Sequence, residues 1–94
     1  MSNWVFLTNH AHVLLAIARH SDVTVREIAR QVGVTERTVT GIVHELEQDG
    51  YVRSRRVGRR KQYAVEARRR LRHPLVSTHR VGELLEVLAP VANA

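Results

Sequence analysis

Thr24–Ile42 reads TVREIARQVGVTERTVTGI, and two short helices joined by one tight turn can be read from it directly. Thr24 and Glu27 form a capping-box pair: a threonine hydroxyl takes the exposed amide three residues on while the glutamate reaches back. A second helix is expected over 25–32. Gly33 stands where a helix ends in a left-handed residue, and Thr35 caps a third helix expected over 36–48, stopping near Asp49 and Gly50. Two helices crossing nearly at right angles need a small residue at the contact, a tight turn, and apolar residues behind the exposed helix. Ala29 is that small residue and Gly33 the turn; Ile28, Val32 and Val34 face Val39 and Ile42. Seven positions agree at fixed spacing, which predicts a helix-turn-helix.

Outward from this unit, Asn9–His20 reads as a first helix, capped by Thr8 or Asn9, with Val13, Leu14, Ile17 and Ala18 spaced to face a core. Residues 21–23 are a loop, with a short extra strand possible near 21–24. After Gly50 comes a hairpin pattern: 51–56, a Val57-Gly58 turn, and 59–65, anchored by Val52, Tyr63 and Val65. That turn would set Val52 opposite Tyr63, Arg55 opposite Arg60 and Arg56 opposite Arg59. Opposed like charges destabilise a sheet unless an anion such as phosphate lies between them. A last helix is expected over about 77–88, ended by Ala89-Pro90, with Val81, Leu84, Leu85 and Leu88 as one apolar stripe. The expected class is therefore mainly α with a small β-hairpin, in the order α-α-α-β-β-α. All 94 residues are read as a single domain with a core of about 9–66.

Charge narrows the partner. The chain carries a net +6 with 44% hydrophobic residues, and its isoelectric point is near 11.3. Between Arg53 and Arg72 lie ten basic residues against Glu66 alone, leaving five basic and eight acidic residues elsewhere. Concentrated positive charge points to a polyanion. Cysteine is absent, so disulfides, thiolate metal sites and thiol redox sensing are excluded, in keeping with a cytoplasmic protein. The longest apolar run, Val13–Ala18, falls far short of the roughly 20 residues that cross a bilayer, and the first twenty residues lack the pattern of a secretion signal.

Thr24–Val65 resembles the winged helix-turn-helix core of the ArsR and MarR regulators. Residues 50–63, GYVRSRRVGRRKQY, are similar to the ArsR-type wing, with its basic first strand, glycine tip and tyrosine on the return strand. The resemblance implies a sequence-specific transcriptional regulator of double-stranded DNA, with the third helix in the major groove and the wing on a neighbouring minor groove or the backbone. With Val39, Ile42, Val43 and Leu46 assigned to the core, the recognition-helix candidates are Thr35, Glu36, Arg37, Thr38, Thr40, Gly41 and His44. Arg37 is the foremost base reader, since a guanidinium grips guanine O6 and N7 together. The wing candidates are Arg53, Arg55, Arg56, Gly58, Arg59, Arg60 and Lys61. Gly41 inside a helix costs about 1 kcal/mol relative to alanine; close approach to DNA or relief of crowding against a core helix would each explain it. The same resemblance implies a homodimer joined through its chain ends: segment 1–8 with Trp4, Phe6 and Leu7, and the last helix with Val81, Leu84, Leu85 and Leu88.

Other chemistries fare less well. His10, His12, His20 and Asp22 show no triad-like spacing, and no glycine-rich phosphate loop occurs, so no enzyme is expected. A metal-responsive ArsR-like sensor could use His79 and Glu83, four apart, with Glu86 and His73 nearby. A winged helix can also serve protein-protein contact alone. No residue set points to a cofactor, and any small-molecule effector is left unspecified.

Overall fold

A computed structural model describes residues 2–89. Its elements are α1 (Asn9–Arg19), α2 (Val25–Val32), α3 (Glu36–Gln48), β1 (Val52–Val57), β2 (Arg60–Val65) and α4 (Val81–Leu88), the order expected of a winged helix-turn-helix. Three threonines start the first three helices. The Thr8 hydroxyl accepts from the Ala11 N–H at 3.2 Å, that of Thr24 from Glu27 at 3.1 Å and that of Thr35 from Thr38 at 3.0 Å. Glu27 completes the capping box by accepting the Thr24 N–H at 3.1 Å, and these Thr24 hydrogen bonds hold its carboxyl below the usual range.

Gly33 ends α2 at φ 88°, and the N–H groups of Gly33 and Val34 both close on the Ala29 carbonyl, at 2.8 and 3.1 Å. The turn lays α3 across α2. Val13 and Ile17 of α1, Ile28 of α2, Val39 of α3, Val52 of β1 and Val81 of α4 are fully buried in one cluster. Burying each such side chain contributes about 1.5–3 kcal/mol.

The hairpin pairs in a different register from the expected one. Val52 faces Val65, Ser54 faces Tyr63 and Arg56 faces Lys61, so the turn residues are Gly58 and Arg59. Gly58 has φ 64°, which suits a type II′ turn with glycine first; a Val57-Gly58 turn would put a β-branched residue there. Arg55 therefore meets Gln62 and Val57 meets Arg60, leaving Arg56–Lys61 as the one like-charge pair across the strands. Side chains alternate with period two, so this two-residue change keeps Val52, Tyr63 and Val65 on one face. Residues 21–24 form no strand: Ser21 O accepts only the Tyr63 N–H, at 2.8 Å, and Thr24 is already committed to capping α2.

The last helix starts at Val81 instead of near Ser77. Leu71 N–H bonds His79 O at 3.0 Å and Val81 N–H bonds Arg69 O at 2.8 Å, with Arg70 and Arg80 bridged between them. This strand-like clasp holds Arg80 extended and uses the backbone groups that an earlier helix start would need. Ala89 caps α4; Pro90, expected to end it, lies outside the described residues. Val81, expected at a dimer interface, is only 1% exposed and belongs to the core of the chain's own fold, with Leu85 packed against it. No helix among the described residues is long and apolar enough to cross a membrane.

α3 ends in a Schellman motif. Tyr51 N–H bonds Leu46 O at 2.8 Å, Gly50 N–H bonds Glu47 O at 3.1 Å, and Gly50 has φ 82°. A Cβ there would lie 2.4 Å from the Arg69 guanidinium. Gly50→Ala is expected to destabilise the fold by about 1–2 kcal/mol from the left-handed backbone alone, read as a lower urea midpoint; an unchanged midpoint would contradict this account of the turn.

Candidate nucleic-acid interface

The exposed side of α3 follows from the buried one. Val39, Ile42, Val43 and Leu46 are buried, so Thr35, Glu36, Arg37, Thr38, Thr40, Gly41 and His44 all face outward. Thr35 and Thr38 are tied to each other, hydroxyl to hydroxyl at 2.9 Å, as part of the cap. Arg37 makes no ion pair among the described residues, with Glu36 or any other acid. A Cβ on Gly41 would meet nothing within 4 Å among the described residues, which removes crowding against a core helix as its reason.

Besides the burial of Val52 and Tyr63 in the core, hydrogen bonds hold the wing to the body. Ser54 of β1 donates to Glu47 of α3 at 2.5 Å, and Tyr63 N–H reaches Ser21 O. Neither partner of the Ser54–Glu47 bond stood out in the sequence; Glu47 reads there as one more polar helix position. At the wing, Arg53 pairs with Glu66 and Arg60 approaches Asp22 at 3.4 Å. Both pairs are open to water, where such contacts contribute only about 0–1 kcal/mol. Arg55, Arg56, Arg59 and Lys61 are exposed and have no acidic partner among the described residues.

The arginines after the wing behave differently, and the basic run divides in two. Arg69 donates to Asp49 O at 2.6 Å and stacks over the Tyr51 ring at 5.7 Å, Arg72 pairs with Asp49 Oδ2 at 2.7 Å, and Arg70 donates to Ser77 O at 3.3 Å. Tyr51 adds its hydroxyl to Arg70 O at 2.6 Å. These contacts strap the C-terminal segment onto the end of α3. Asp49 is the anchor the sequence reading passed over as a helix stop.

Two of the groups weighed for a triad are engaged elsewhere. His10 meets Glu45 at 2.6 Å, and Asp22 faces Arg60 instead of a histidine. His79 and Glu83 do come together, at 2.7 Å, and this bond with the Arg80 N–H holds the Glu83 carboxyl below its ordinary range. No cluster of three His, Asp or Glu side chains fit to hold a metal forms among the described residues.

Exposed apolar side chains lie in the N-terminal segment, in the strap at Leu75 and Val76, at Val57 of the wing and on α4. Trp4 and Phe6 meet edge to face at 4.9 Å, yet Phe6 is 88% exposed and Trp4 66%. Leu7 and Leu84 are half-buried, while Val87 and Leu88 are exposed. An open hollow of about 770 Å³ lies between the start of α1, the end of α3 and the strap, with Leu14, Leu46, Tyr51, Leu71 and Leu84 in its lining.

The model of the MarR family matches residues 7–62, from the cap of α1 into β2. Among solved structures, the zinc-dependent MarR-family transcriptional regulator AdcR in its Zn(II)-bound state is similar at 24% identity and TM-score 0.49. The match covers 68% of this chain and 46% of that one, so the chain spans less than half of AdcR's length. No curated protein matches.

Tyr63 reports on the seam between wing and α3. Burial pushes its hydroxyl above the ordinary value, and the Glu47 carboxylate pushes it further. The neutral phenol is the form the fold favours. Its contribution to stability is full below the unfolded value of about 10 and lost as pH rises through the higher folded one. Glu47→Gln is expected to lower the Tyr63 midpoint, followed by NMR of its ring resonances; an unmoved midpoint would dissociate Tyr63 from Glu47.

Proposed function

The chain belongs to the MarR family, and from that premise we propose that it is a sequence-specific, double-stranded-DNA-binding transcriptional regulator acting as a homodimer. One observation carries the reading. Arg37 on α3 and Arg55, Arg56, Arg59 and Lys61 on the wing have no acidic partner among the described residues, whereas Arg69 and Arg72 beyond the wing are bound to Asp49. Charges left open on the helix and the wing suit a phosphate backbone.

In this reading the N-terminal half of α3 enters the major groove, where Arg37 reads base edges and Thr38 and Thr40 touch phosphate or a thymine methyl. The wing tip follows the backbone or a narrow minor groove. Arg53 and Arg60 join it at small cost, because their ion pairs are solvent-exposed. Trp4, Phe6, Leu7, Leu84 and Leu88 supply the apolar ends through which two copies associate, and the whole chain serves as one domain. A two-fold dimer reads a roughly palindromic site with half-sites about 34–36 Å apart.

Fluorescence anisotropy against salt tests this. Arg56→Ala with Arg59→Ala is expected to weaken binding to all duplexes alike and to flatten the salt slope by roughly 1–2, at about 0.9 per phosphate contact. Arg37→Ala should cost about 1–3 kcal/mol on the preferred sequence and relax its base preference. Duplex binding absent even at low salt would overturn the reading in favour of a protein-contact module. Sedimentation should show a dimer, displaced toward monomer by Phe6→Ala; a monomeric parent chain at tens of micromolar would remove the dimer.

A further inference from the structure

The five glycines of the chain divide four to one. Gly33, Gly50 and Gly58 take positive φ, and Gly82 sits so close to Ala67 that a Cβ would lie 3.0 Å from its Cβ and carbonyl oxygen. Gly41 has neither reason. It lies in the middle of α3 with no positive φ and open space where a Cβ would stand. Glycine is the least favourable residue for a helix interior apart from proline, so the fold itself would gain from alanine here.

The surroundings of Gly41 show what the bare backbone could admit. Of its neighbours one turn away on the exposed side, Thr38 has its hydroxyl bound to Thr35 and Glu45 is bound to His10. Arg37 and His44 make no such contact among the described residues, and they stand four residues before and three after Gly41. Seven residues of helix span roughly 10 Å, about three base-pair rises. The middle of this face is thus a strip without a side chain between two long donors. Such a recess fits a surface that must come nearer to the helix than a methyl group allows.

We infer that Gly41 is a specificity-determining position, resting on the DNA reading above: its bare Cα lets α3 settle against the base-pair edges so that Arg37 and His44 reach the bases on either side. A Cβ at 41 lifts the helix outward and lengthens both contacts together. Binding to a random duplex runs through the phosphate backbone without seating α3 against base edges, so it does not feel the added methyl group. Stability and recognition at this position therefore oppose one another.

Gly41→Ala separates this from a structural role, with two probes: a duplex selected by the unaltered chain from a random library, and a random-sequence duplex at low salt. The variant is expected to raise the Tm by roughly 4–8 °C and to lose about tenfold or more in affinity for the selected duplex. Affinity for the random duplex should stay within about twofold. Undiminished affinity for the selected duplex, equal losses on both duplexes, or a fall in Tm would each overturn the inference while leaving DNA binding intact. Failure of the unaltered chain to select any sequence would overturn both the inference and the reading it rests on.

Discussion

At φ 88°, Gly33 turns the chain so sharply that its own N–H and that of Val34 share the Ala29 carbonyl. Only this left-handed turn allows Ile28 and Val39 to be buried in the same core while the other side of α3 faces outward. A side chain at 33 would meet no neighbour; the constraint is conformational and falls on the backbone alone. What α3 can offer a partner depends on that angle, because the buried residues at 39, 42, 43 and 46 determine which residues remain outside.

The second turn, at Gly50, carries the same logic from α3 into the wing. The Schellman bonds of Gly50 and Tyr51 aim β1, and the Ser54–Glu47 hydrogen bond ties that strand back to the helix it left. Helix and wing are linked by short covalent and hydrogen-bonded paths, so a ligand touching both meets one preorganised surface. Arg69 lies beneath Gly50, where a Cβ would displace its guanidinium. A single glycine thus serves the wing's direction and the docking of the C-terminal strap.

Electrostatics divides along the same line. A run of ten basic residues looks uniform in one dimension, but folding brings Asp49 and the backbone carbonyls of Asp49 and Ser77 against its second half. Three of the four arginines there, Arg69, Arg70 and Arg72, are engaged in holding the strap, while Arg68 is exposed without an acidic partner among the described residues. Those at the wing tip have no such neighbours and keep their hydration until something anionic replaces it. Counting charge along a chain overstates a binding surface wherever acceptors distant in sequence return to it.

Local signals were legible because each is decided within a few residues. The capping box of Thr24 and Glu27, the bounds of α2 and α3, the outward face of α3 and the hairpin were all readable from nearest-neighbour geometry and hydrophobic spacing. The hairpin register was not, since choosing Gly58-Arg59 over Val57-Gly58 needs the turn's backbone twist, and both choices leave the same residues facing the core. Nor was the start of α4, which is delayed by a clasp between 69–71 and 79–81 that no helical period encodes. The sequence by itself determined a helix-turn-helix with a basic wing, because capping, turning and amphipathic spacing are local. Only the tertiary structure decided which arginines lack an acidic partner among the described residues, that Val81 belongs to the core, and that no described residue crowds Gly41, because each depends on residues brought together across tens of positions.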